Sequence, residues 1–217
     1  MIIPARFNGP PGSANGGYAC GVFSEALGGG FEVTLLRPPP LDTQLEIVGD
    51  ELRDGEVAVA RARRAAPEAD TPQPVSVDAA EEASRRYAGF EHHAYPTCFT
   101  CGPAREDGLR IYAGPVSGRE GVVAAPWVPG ELRPEIVWAA LDCPAGWAVD
   151  DFQREGVLLG RMAATIRSAP AAGEPHVVMG WRVGAEGRKR FAGSALFSAA
   201  GELLAFARST WIVPAAS

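Results

Sequence analysis

Apolar positions recur along this chain in two periods. From Ala14 to Leu27, in ANGGYACGVFSEAL, they follow helical spacing, and the triple glycine Gly28 to Gly30 predicts where that helix stops. Beyond it the period drops to two. FEVTLLRP, TQLEIVGDEL and EVAVARARR alternate as strands do, the last placing Val57, Val59 and the stems of Arg61 and Arg63 on one face. Asp54-Gly55 predicts a hairpin between the last two. The first third of the chain therefore reads as one helix followed by an antiparallel meander.

Residues 65–74 are rich in Pro, Ala and Glu without periodicity, and SVDAAEEASRRYAGF predicts a short polar helix opening at Asp78. GLRIYAGPV and EGVVAAPWVP predict two strands joined by a turn at SGRE. RPEIVWAALDCPAGWAVDD is apolar at helical spacing but contains Pro144, which removes a ladder bond and crowds the carbonyl of Ala140, so a bend or break is expected beside Asp142. Four strands follow, VLLGRMAATIRS, PHVVMGWRVG, KRFAGSALFSA and LLAFARSTWIV, with turns at GAEG and AAGE. The same unit thus occurs twice, a helix rich in small residues and then a meander. GGYA at 16–19 matches AGWA at 145–148. One helix cannot cover both faces of such a sheet, so two fused units are expected: residues 1–66, a connector over 67–106, and residues 107–217.

A chain of 217 residues, 47% hydrophobic and 21% charged, suits one large domain or two small ones. Its net charge of −6 argues against a nucleic-acid partner, and the twenty basic residues include a single lysine, Lys189. The apolar runs are too short for a bilayer span and MIIPARF lacks the layout of a signal peptide, so no membrane partner and a cytosolic location are expected. Of the cysteines Cys20, Cys98, Cys101 and Cys143, only the pair in PTCFTCG is close in sequence. Zinc would require two further ligands, His92 and His93 being the nearest, and no second pair exists, so the expectation is a tight turn with free thiols and no metal. Redox chemistry is disfavoured because no βαβ pattern surrounds the pair.

FNGPPGSANGGY gathers unhindered backbone at the start of the first helix, where unpaired N–H groups and the positive end of the macrodipole favour an acceptor. Gly16 and Gly17 also permit close packing. Together with VWAALDCPAGW and the pattern order, this motif resembles the double-hotdog acyl-CoA thioesterases of type II. The resemblance implies an α+β fold, a tandem (double) hotdog with antiparallel sheets wrapped around central helices. It further implies an acyl-CoA or acyl-carrier thioester as partner, hydrolysis without metal or organic cofactor, and a homodimer.

In that family an aspartate of the second-half helix activates water, and Asp142 matches its place; apolar neighbours would raise its pKa toward that of a general base. Asp142 also suits an N-cap for a segment beginning at Pro144. Thr165, with Ser168 as substitute, stands where the family has a hydroxyl, and Ser209 or Arg208 stands where it has a glutamine. Asn15, Gly16, Gly17 and Tyr18 would shape the substrate side, although Asn15 is equally a helix cap. No histidine falls on a predicted central helix, which disfavours a dehydratase, and His176 is expected at a strand end facing solvent. The five tryptophans, Trp127, Trp138, Trp147, Trp181 and Trp211, are expected in the core of the second half. Two alternatives stand beside hydrolysis: a non-catalytic acyl or hydrophobic-ligand binder, and a metal-stabilised recognition element in HHAYPTCFTCGPARED.

Overall fold

The computed structural model describes residues 1–149 and 156–215. Among these, ten strands form one antiparallel sheet: β1 Phe31–Leu35, β2 Glu46–Val48, β3 Glu51–Asp54, β4 Val57–Arg64, β5 Gly114–Pro115, β6 Val122–Trp127, β7 Leu158–Ile166, β8 His176–Glu186, β9 Lys189–Ser198 and β10 Leu203–Ile212. Their spatial order is β2-β3-β4-β1-β7-β10-β9-β8-β6-β5. The first and second parts of the chain meet at β1 and β7, with Val33 opposite Met162. No described helix is long and apolar enough to cross a membrane.

Helix α1, Gly16–Ala26, and helix α3, Pro134–Trp147, pack on each other and against one face of the sheet. Helix α2, Val77–Ser84, lies on the opposite face. Side chains alternate across β8 accordingly: Val178 joins the core around α1 and α3, while Val177 and Met179 join Ala80 and Ala83 of α2. All five tryptophans are buried.

Helix α1 begins where the sequence predicts, because Asn15 Oδ1 accepts the Tyr18 N–H at 2.9 Å. It ends at Gly28, Gly29 and Gly30, whose φ values of 92°, 75° and 75° are open to glycine and costly for other residues. The two helices approach closely because Gly17 and Gly21 lie one turn apart on the facing side of α1. A Cβ at Gly17 would stand 2.5 Å from Asp142 Cβ, and one at Gly21 would stand 2.8 Å from Trp138 Cβ. Gly16 instead meets the sheet, under Leu159.

Several elements depart from expectation. TQLEIVGDEL is two strands, folded at Gly49 with φ 63° so that Val48 pairs with Glu51. The strand expected over GLRIYAGPV shrinks to β5. In β4 the buried positions are Val59, Ala60 and Ala62, while Val57, Arg61 and Arg63 are exposed. Helix α2 opens one residue early, at Val77, because Ser76 Oγ accepts the Ala79 N–H. Helix α3 does not break at Pro144 but continues to Trp147, which excludes Asp142 as an N-cap. Packing outweighs the proline: a Cβ at Gly180 of β8 would stand 2.0 Å from Pro144 O, so the last turn is pressed against the sheet. The end of the helical pattern, at Asp150 and Asp151, lies outside the described residues. His176 is buried, its Nδ1 on Glu174 O and its Nε2 accepting from Ala171 N–H, so it does not face solvent.

The stretch 67–106 does more than connect. Cys98, Phe99, Thr100 and Cys101 are buried. Phe99 sets its ring edge against Phe7 and Tyr18, and Thr100 Oγ1 donates to Ala139 O of α3 at 2.9 Å.

At an exposed helix site, glycine to alanine gains about 1 kcal/mol. Gly21→Ala should reverse that sign and lose roughly 1–3 kcal/mol by overpacking against Trp138, read as a lower urea midpoint with an unchanged slope.

Candidate active site

Asp142 sits in the middle of α3 with its side chain turned toward the start of α1. Its Oδ2 accepts the Gly17 N–H at 3.0 Å and the Asn15 Nδ2–H at 3.0 Å. Asn15 therefore acts twice, capping α1 through Oδ1 and holding the carboxylate through Nδ2. Asp142 Oδ1 is buried and has no hydrogen-bond partner among the described residues. Burial pushes the carboxyl up to about 7; the Gly17 N–H opposes this, the nearby Cys98 sulfur adds to it, and the Asn15 amide opposes it.

A cavity of about 270 Å³ opens beside this carboxylate. It is bounded by the start of α1, the end of β1 and its following loop, the start of β7 and the end of β10. Leu35, Leu158, Leu159, Trp211 and Ile212 make its walls apolar, and Pro38 and Pro39 stiffen one rim. Exposed Arg37 stands on that rim. Of the helix-start donors, the Gly17 N–H is spent on Asp142 and that of Tyr18 on Asn15, whereas the Gly16 N–H meets no acceptor among the described residues and borders the cavity.

The expected site residues divide. Asn15, Gly16 and Asp142 line the cavity together. Gly17 serves it indirectly, as a donor to Asp142. Tyr18 does not line it; its ring stacks on Phe7 at 3.8 Å in the core. Thr165 and Ser168 do not reach it either. The cavity lies at the Leu158 end of β7, and six residues of strand carry Thr165 about 20 Å away from Leu159; Ser168 is exposed beyond the strand's far end. Ser209 is buried on β10 but already engaged, donating to Ala192 O and accepting the Trp211 indole N–H at 2.9 Å. It positions Trp211, which borders the cavity, and does not itself line it. Arg208 makes its contacts elsewhere, donating to Asp70 O.

Sequence reasoning missed the third wall. Tyr95, Cys98, Cys101 and Cys143 line the cavity next to Asp142. Tyr95 donates through its hydroxyl to Gly156 O. The Cys98 and Cys143 sulfurs are 3.7 Å apart. The adjacency of Cys143 to Asp142 in LDCP was the one signal in the sequence; its encounter with the C-x-x-C pair is purely tertiary.

No protein-family model matches the chain, and no curated protein matches it by sequence. Solved structures do. A conserved protein of unknown function with a hot dog fold from Alicyclobacillus acidocaldarius is similar with a TM-score of 0.62 at 11% identity, over 98% of this chain and 91% of that one. A putative thioesterase II from Thermobifida fusca is similar with a TM-score of 0.60 at 13% identity, over 97% and 91%. The TesB protein of Mycobacterium avium subsp. paratuberculosis gives 0.59 at 13%, over 99% and 91%. The chain therefore has an α+β hotdog fold, shared over nearly its full length with these structures.

A buried carboxyl raised from 3.8 to about 7 leaves the fold unaffected below about pH 4, where it is protonated folded or unfolded, and destabilises it progressively from there to about pH 7, above which the loss is complete. The full effect is roughly 4 kcal/mol. Asp142→Asn keeps an oxygen for the Gly17 N–H and removes the charge. It should raise the Tm at pH 8, change it little at pH 4, and flatten the decline between them, as followed by circular dichroism melts.

Proposed function

We propose that the chain is two hotdog units, residues 1–66 and 107–217, joined by 67–106, and that it hydrolyses acyl thioesters at the Asp142 cavity. The strand order supports the first part. From the β1–β7 seam outward, the strands after α1 run first, fourth, third, second, and those after α3 run the same way. The fold shared with a putative thioesterase II and a TesB protein supports the second.

One observation carries the chemistry: a buried carboxylate oxygen and a helix-start N–H, each without a partner among the described residues, stand together at one apolar cavity. The acyl chain lies along Leu35, Leu158, Leu159 and Ile212, and the thioester carbonyl oxygen takes the Gly16 N–H. Asp142 draws a proton from a water as its oxygen bonds to the carbonyl carbon. The tetrahedral oxyanion collapses, the carbon–sulfur bond breaks, and the thiolate leaves with the proton Asp142 took. Arg37 at the rim offers a charge to an anionic carrier such as the CoA moiety. Thr165, Ser168 and Ser209 take no part. A homodimer and a cytosolic location belong to the same reading.

A specific observation favours the second reading, a non-catalytic acyl binder: Asp142 is only 2% exposed, so Oδ1 must be uncovered before water reaches it.

The readings separate on CoA release from an acyl-CoA series. Hydrolysis predicts turnover, lost at least a hundredfold in Asp142→Asn with little change in KM. No turnover on any chain length, with a lipid retained through purification, assigns the chain to the binder. Arg37→Glu should raise KM several-fold for acyl-CoA and leave kcat unchanged.

A further inference from the structure

Three buried thiols converge on the cavity wall from two distant parts of the chain, Cys98 and Cys101 from the loop after α2 and Cys143 from α3. Their sulfurs all lie within 4.8 Å of one another, and Cys98 and Cys143 are 3.7 Å apart. Metal–sulfur bonds of about 2.3 Å in a tetrahedron separate the sulfurs by about 3.8 Å, so one edge of the cluster already has the dimension of a thiolate-bound ion.

Two side-chain nitrogens face the cluster. Asn15 Nδ2 lies 3.9 Å from Cys98 Sγ and 4.0 Å from Cys143 Sγ, and His93 Nε2 is 3.4 Å from Cys101 Sγ. The loop is also fixed. Tyr87 donates to Cys101 O at 2.9 Å, Gly102 N–H donates to Cys98 O at 2.9 Å, and a Cβ at Gly102 would stand 2.5 Å from Cys98 N.

We propose that Cys98, Cys101 and Cys143 bind one zinc ion in the cavity wall, with its fourth coordination position open to the cavity. Three soft thiolates select zinc over magnesium, calcium or manganese. His93 is not the fourth ligand: its Nδ1 accepts the Tyr95 N–H at 2.9 Å, which places the ring proton on Nε2, facing Cys101 as a donor. Three protein ligands with an open position is the arrangement of zinc sites that meet a substrate or water. Binding converts each thiol to a thiolate, its proton going to solvent and its lone pair to the metal, with no change of oxidation state. This inference stands apart from the hydrolase reading, since a binder could hold the same ion.

Metal analysis of reduced, untagged protein should find about one zinc per chain. After stripping, Zn²⁺ should bind again in competition with a chromophoric chelator, and Co²⁺ should give the intense near-ultraviolet charge-transfer band of several thiolate ligands. Cys98→Ser and Cys143→Ser should each weaken zinc binding at least tenfold, Cys20→Ser should not, and His93→Gln should leave the stoichiometry unchanged. Where a cysteine variant fails to fold, the cobalt spectrum of the unmutated chain decides. Protein purified without zinc that takes up neither Zn²⁺ nor Co²⁺ overturns the site. Loss of the metal in His93→Gln overturns the open fourth position.

Discussion

The contact between α1 and α3 constrains everything else in this molecule. Two glycines one turn apart on α1 let the helices approach until a carboxylate on α3 reaches the first turn of α1. There it accepts from one backbone N–H and from the side chain that caps the same helix. A charge so deeply placed is costly unless donors meet it. Among the described residues only one of its two oxygens is so met, and burial holds its proton affinity high. Polar imbalance of this kind is characteristic of sites kept for chemistry.

The same contact sets the cavity. With the helices this close, the space left lies at the mouth of the pair, between the start of α1 and the sheet seam where β1 meets β7. Apolar strand ends and a proline rim bound it, while the loop carrying Cys98 and Cys101 closes its remaining side. Because Cys143 follows Asp142 on α3, whatever fixes the carboxylate also fixes one member of the sulfur cluster. Thr100 ties the loop to the carbonyl of Ala139 on that helix. Carboxylate, cap and cysteines thus form one connected wall.

Much of this was legible in the sequence because it is local. The period of apolar residues gives α1, β4 and the four long strands of the second half, and the cap and triple glycine give the ends of α1. The glycines before ACGVF pointed to a close approach at the helix start, and LDCP pointed to the carboxylate. What failed depended on distance in the fold. Pro144 argued for a broken helix, but packing on Gly180 holds the last turn together. Thr165 and Ser209 match by residue type and strand, yet neither lines the cavity, Thr165 because of its position along β7 and Ser209 because it turns to the Trp211 indole. The C-x-x-C pair stands alone in the sequence because the thiol that joins it, Cys143, lies forty-two residues beyond Cys101 on a helix that only the tertiary structure brings alongside.

The central claim is that the Asn15 side chain and the Asp142 carboxylate bond to each other across the helix pair. A double-mutant cycle on stability with Asn15→Ala and Asp142→Ala isolates that bond from the capping role of Asn15. The account predicts a coupling of about 1–3 kcal/mol. Additivity to within about 0.5 kcal/mol would contradict it.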